Sequence, residues 1–148
     1  MKTVATNRKA WHNYEIIDKY EAGIELIGSE VKSVRASKIS FKDSFAALKN
    51  GQVILYNFHI SPYDKTSHFG HDPERPRRLL LHKKEIRKLK AKTEEQGLTL
   101  VPLRMYFSGR YAKIEIALAR GKRKYDKRQA IAKRDADRDL RRAAKYNQ

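Results

Sequence analysis

The chain contains no cysteine. That absence excludes disulfides, thiolate zinc sites and cysteine nucleophiles together. It also has no apolar run near the ~18 residues that a membrane span requires. Nor does it show an internal repeat. The opening MKTVATNRKAWH is polar and basic and has no secretory character, so a cytoplasmic location is expected. Acidic residues are the other scarcity: 17 Asp and Glu stand against 34 Lys and Arg, for a formal net charge of +17.

A chain of 148 residues accommodates one domain and an appendage. Residues 120–148 hold twelve Lys or Arg against four Asp, which is +8 of the total, and only Ile131 and Leu140 as large aliphatic side chains. Such a segment cannot bury enough apolar surface to offset the entropy of ordering itself. It can neutralise many phosphates, which points to a nucleic-acid partner. The other +9 lies on residues 1–119, so the body is basic too. An anionic membrane is the weaker partner, because the appendage has no Trp/Phe/Leu face to lie in an interface.

Within the body, residues 1–10 read as an irregular basic arm. Residues 12–20 alternate as a strand, with Tyr14, Ile16, Asp18 and Tyr20 on one face, and residues 23–28 continue it after a break. Ser29 is the expected N-cap of a short helix with Val31 and Val34 inward. Asn50-Gly51 between two β-prone runs predicts a type I′ hairpin. Residues 61–78, with three prolines, read as a long loop. Residues 79–81 are either a strand or a helix lead-in. Residues 83–96 have helical periodicity, with Ile86 and Leu89 inward and Gly97 at the C-terminal cap position. Two further strands, residues 99–107 and 110–119, flank Ser108-Gly109, the second with one wet face. Five or six short antiparallel strands and two or three helices make a mainly β fold. The expected form is a small OB-type barrel over residues 1–119, with a basic C-terminal tail over 120–148 that is disordered when free.

Several segments together resemble the SsrA-binding protein (small protein B, SmpB) family. They are Asn7-Arg8-Lys9-Ala10, Tyr20-Glu21-Ala22-Gly23-Ile24-Glu25-Leu26, Ser29-Glu30-Val31-Lys32-Ser33-Val34-Arg35, Arg77-Arg78-Leu79-Leu80-Leu81-His82-Lys83, Thr99-Leu100-Val101-Pro102-Leu103, and ARGKRKYDKR over residues 119–128. They occur in order across about four-fifths of the chain. The resemblance implies an OB-type barrel that binds the tRNA-like domain of transfer-messenger RNA and takes it to stalled ribosomes for trans-translation. In that picture the tail enters the decoding centre of the small subunit and the empty mRNA channel, and becomes helical there. Elongation factor Tu and the alanyl-charged RNA complete the complex. The resemblance implies neither catalysis nor a cofactor.

Carried over by motif, Asn7, Lys9, Glu21, Lys32 and Leu80 are the expected RNA-binding residues. Gly121, Lys122, Arg123, Tyr125, Asp126, Lys127 and Arg128 are the expected ribosome-binding hinge of the tail. Tyr125 stands where the family often has histidine, and both residues can stack on a base. Glu21 cannot attract a phosphate. It can accept from a base amino group or from a group that shapes the RNA-facing surface.

Other readings of these residues weigh less. The tail stripe of Ala132, Ala136, Leu140 and Ala143 is too weak to fold alone, and the plain alternative is a solvated basic tail. His68, His71 and Asp72 have metal-compatible spacing but no further ligands, so an ordinary basic loop is favoured over a metal site. His12, read within a strand, fits an RNA contact or a half-buried histidine equally. Glu94-Glu95, Asp43 with Ser44, and Asp135/Asp137/Asp139 have no converging base or nucleophile for acid–base chemistry. Tyr14, Phe45, Tyr56, Phe58, Tyr106 and Phe107 fit core packing better than a base-stacking surface, with Trp11 and Tyr111 the expected exposed aromatics. A generic single-strand binder and an RNA-modifying enzyme are the rival functions.

Overall fold

The computed structural model describes residues 2–62 and 72–121. Among them the chain order is β1 (Lys2–Thr6), α1 (Arg8–Asn13), β2 (Tyr14–Ile24), α2 (Gly28–Arg35), β3 (Ile39–Ser40), β4 (Phe45–Lys49), β5 (Gln52–Tyr56), β6 (His59–Ile60), β7 (Arg77–Leu80), α3 (Lys83–Gln96), β8 (Thr99–Ser108) and β9 (Tyr111–Gly121). The antiparallel order β8-β4-β5-β7-β2-β9 is closed by direct β8–β9 pairing, so six strands form a ring. This is the expected mainly β, OB-type barrel. Closure removes the unpaired edges that an open sheet would present.

The signals that needed only neighbouring residues are met. Asn50 (φ 52°) and Gly51 (φ 74°) both take the left-handed conformation of a type I′ turn, which joins β4 to β5. Gly97 caps α3 at φ 62°, a conformation only glycine adopts without steric cost. Leu89 is the fully buried residue of α3 and Ile86 packs beside the core, leaving the helix's basic side chains outward. Residues 79–80 belong to strand β7.

Four expectations are corrected within the first 30 residues. The N-terminal arm is ordered: β1 pairs with β8, Lys2 opposite Phe107 and Thr6 opposite Arg104, and α1 follows. His12 therefore lies exposed on a helix rather than in a strand. β2 is a single strand from Tyr14 to Ile24, with a bulge between Ile16 and Asp18. That bulge shifts the alternation by one residue. Tyr14 and Ile16 consequently pack beneath α1 with Val101, Leu103, Ala117 and Ala119, while Tyr20 enters the main core. α2 is capped at Ile27 instead of Ser29: the Glu30 carboxylate reaches back to accept from the Ile27 N–H at 2.9 Å.

The main core fills the ring with Leu55, Phe58, Ile60, Leu100, Met105, Ile114, Ile116 and Leu118, all buried. The outer face of β9 is wet only near its start, because Ala117 and Ala119 are covered by the second cluster, which includes Ala10 of α1. β9 also continues to Gly121, two residues beyond the composition boundary, pairing Arg120 with Glu15 and Gly121 with Tyr14. Among the aromatics, Phe58, Tyr106 and Phe107 are buried, and Trp11 and Tyr111 are exposed as expected. Phe45 departs from that expectation, exposed on the hairpin and stacked on Tyr56 with ring centroids 5.4 Å apart. No described helix is long and apolar enough to cross a membrane.

Candidate nucleic-acid interface

The outer surface of β7, β2, β9 and β8 brings distant motif residues into two neighbouring rows. Leu80 lies opposite Gly23, Gly23 opposite Lys113, and Lys113 opposite Tyr106. In the next row Glu21 lies opposite Glu115, and Glu115 opposite Arg104. Directly opposed residues on antiparallel strands share a face, so these side chains project from one surface. Leu80 is 45% exposed there, an apolar side chain beside a charged row. Leu80 packs over Gly23: a Cβ there would lie 3.3 Å from the Leu80 Cβ, so a larger residue would require Leu80 to give by a few tenths of an ångström.

Glu21 is held in place. The Tyr106 hydroxyl donates to its Oε2 in a short hydrogen bond. Burial, reinforced by the Glu21 carboxylate, raises the Tyr106 pKa, so the phenol remains a donor throughout the neutral range. The Arg104 guanidinium lies 4.9 Å from the Tyr106 ring centroid and donates to Glu115 Oε2 at 3.4 Å. One carboxylate oxygen of Glu21 is thereby committed to the fold, and the exposed carboxylate can still accept from a partner. Within a basic protein, such a fixed acceptor suits the N–H edge of a base and repels a phosphate.

Asn7 reaches the same surface through α1. Its Oδ1 accepts from the Ala10 N–H at 3.3 Å, its Nδ2 donates to the Pro102 carbonyl at 2.8 Å, and its own N–H donates to the Leu103 carbonyl at 2.7 Å. The side-chain amide thus caps α1 and fastens it onto β8. Lys9, beside Arg8, is exposed on that helix. Trp11 is 44% exposed, with Lys19 Nζ 4.6 Å from its ring centroid.

Lys32 is exposed on a separate element, α2, and is not part of the two rows. The motif around it has another task. Glu30 is fully buried, and its carboxylate accepts from Arg75 Nη2 and Arg77 Nε, each at 2.6 Å. Arg77, also fully buried, donates further to the carbonyls of Phe58 at 2.5 Å and Pro73 at 3.1 Å. Burial alone would raise the Glu30 pKa, but the hydrogen bonds from Arg75, the Ile27 N–H and Arg77 outweigh it and hold the carboxyl below its ordinary value. The ion cluster ties α2 to β7 and to the chain on either side of residues 63–71.

Of the expected ribosome-binding residues, Gly121 ends β9 in the sheet. Lys122, Arg123, Tyr125, Asp126, Lys127 and Arg128 lie outside the described residues, as do His68 and His71. Sequence reasoning missed Tyr106 and Arg104 as the residues that fix Glu21, and missed the Glu30–Arg77 pair. The available signal for Tyr106 was its chemistry: a tyrosine buried in a strand needs a partner for its hydroxyl.

Fold and surface together define a small, strongly basic OB-type barrel with one chemically diverse outer face. The family model described as SmpB protein matches residues 4–146. The SsrA-binding protein of Carboxydothermus hydrogenoformans is 58% identical over 142 residues, covering 96% of this chain and 95% of that one. The SsrA-binding protein of Halothermothrix orenii is 55% identical over 148 residues, covering 100% and 96%. A solved chain described under "tmRNA-SmpB: a journey to the center of the bacterial ribosome" is 55% identical, with a TM-score of 0.68 over 80% of this chain and 83% of that one. The chain belongs to the SmpB family.

Proposed function

We propose that this chain binds transfer-messenger RNA at the tRNA-like domain and delivers it to stalled ribosomes for trans-translation. In this reading it is an adaptor and catalyses no reaction. The observation that carries the reading is the convergence of Glu21 and Leu80, from separate motifs, on one exposed face, with Asn7 fastening α1. That face would hold the RNA by contacts to bases, sugars and backbone, as suits the shape-based recognition of a folded RNA. Lys9 on α1 supplies cationic charge toward the phosphates, and Lys32 does so from α2. The naming of the relatives for SsrA binding and the tmRNA-SmpB structure support the same partner.

The tail is assigned the second role. The joint would begin where Gly121 ends β9, and Lys122 and Arg123 would meet phosphate. Tyr125 with Asp126, Lys127 and Arg128 would engage the decoding centre, and the rest of the tail would enter the mRNA channel. Elongation factor Tu and the alanyl-charged RNA would complete the delivered complex.

Because Gly121 pairs within the barrel, the clean truncation removes residues 122–148 and leaves β9 intact. The shortened chain is expected to keep most of its affinity for the isolated tRNA-like domain, measured by filter binding. It is expected to lose tagging of nascent peptide on stalled ribosomes. Equal loss of both activities would overturn the division of labour.

A further inference from the structure

Trp11 is the chain's single tryptophan, and it lies on the outside of the protein. Burying the indole would have stabilised α1 further. Instead α1 buries only Ala10, against Val101, Leu103, Ala117 and Ala119, and presents Trp11 outward. Lys19 explains one face of the ring: its ammonium sits 4.6 Å from the centroid. Lys19 lies opposite Ala117, and Glu21 lies opposite Glu115 next along the same face of β2. Two residues on one side of a strand are separated by about 6.6 Å, the scale of one nucleobase. An aromatic surface, a cation and a fixed carboxylate acceptor therefore stand side by side.

These groups offer the three features that a single unpaired nucleotide presents in reverse. The indole provides a stacking surface for the base, and the Lys19 ammonium complements the phosphate. The Glu21 carboxylate, held by Tyr106, accepts from a base N–H. A duplex offers its bases already stacked and cannot use the indole. We propose that Trp11, Lys19 and Glu21 form a pocketless platform that captures one unstacked nucleobase of the bound RNA. This inference rests on the RNA-binding reading above and adds a specific contact to it.

The lone tryptophan makes the test direct. The isolated tRNA-like domain of transfer-messenger RNA is titrated into the full-length protein, with indole emission and filter binding followed in parallel. Emission is expected to be quenched in step with the fraction bound. Blunt duplex RNA is expected to bind without quenching. Trp11→Ala is expected to weaken binding roughly 5- to 150-fold, the range for losing one base stack. Trp11→Phe, which keeps a ring, should restore most of that affinity. Unchanged emission in the saturated complex, or equal quenching by the duplex, overturns the platform while leaving RNA binding intact. Absence of binding by the wild-type chain overturns the functional reading and the platform together.

Discussion

Glu21 and Glu30 are carried by adjacent motif segments, and each carboxylate accepts from a side chain far away in sequence. Their surroundings differ in water. Glu30 is fully buried between Arg75 and Arg77, with nothing left to offer a partner. Glu21 is exposed, fixed by the Tyr106 hydroxyl, and still open to accept. A motif residue that satisfies itself inside the protein builds the fold. One that is oriented but left wet is available for recognition. The same contrast separates Arg77, locked to Phe58 and Pro73 carbonyls, from Leu80 three residues on, which lies bare over Gly23.

The largest expected effect attacks the buried side of this comparison. Glu30→Ala strands Arg77 in the interior, and breaking a buried pair this way costs about 3–5 kcal/mol. That is a large share of the roughly 5–15 kcal/mol that stabilises a domain, so urea unfolding should show a much lowered midpoint or loss of the folded state. Acid should act on the same group. The folded-state pKa of Glu30 lies below its ordinary value of 4.5, so its stabilising contribution is complete above that value. The contribution is then lost as pH falls through the folded pKa. Thermal midpoints of the wild type should decline on acidification below 4.5, and Glu30→Gln should remove that component.

Asn7→Ala tests the boundary between the two classes, since Asn7 fastens α1 to β8 and is proposed to hold the RNA-facing surface in place. Losing the cap and the bond to Pro102 should cost about 1 kcal/mol of stability. It should also weaken RNA binding by releasing α1 from β8. Affinity that stays at the wild-type level, at a temperature where the variant is fully folded, would reduce Asn7 to a structural residue.

The parts of the fold legible in the sequence are those written by neighbours. Asn50-Gly51 specifies its own turn, and the 3.6-residue spacing of residues 83–96 with Gly97 specifies both the helix and its end. The ordered N-terminus was not legible, because what orders it is β8: Asn7 bonds to Pro102 and Leu103, and β1 pairs with residues 104–107. The bulge at Ile17 was hidden for the same reason, since only the register with β9 shows that the strand changes face. On the outer face, motif order singled out Glu21 and Leu80 as candidates but could not reveal that Leu80 packs over Gly23 or that Tyr106 orients Glu21. Nor could it distinguish Glu30 from Glu21, because burial depends on partners that the local pattern does not name.

Glu21 is proposed to act as a wet, oriented acceptor for RNA and to carry less of the fold than Glu30 does. The most direct test is the dissociation constant of Glu21→Ala for the tRNA-like domain across a salt series, beside the unfolding midpoint of the same variant. Glu21→Ala should lower affinity on the order of tenfold at every salt concentration, with a salt slope parallel to wild type. The midpoint should fall only by the equivalent of the roughly 1–3 kcal/mol that leaving the buried Tyr106 hydroxyl without its acceptor costs. Wild-type affinity, or a salt slope that drops by a full unit, would contradict this role.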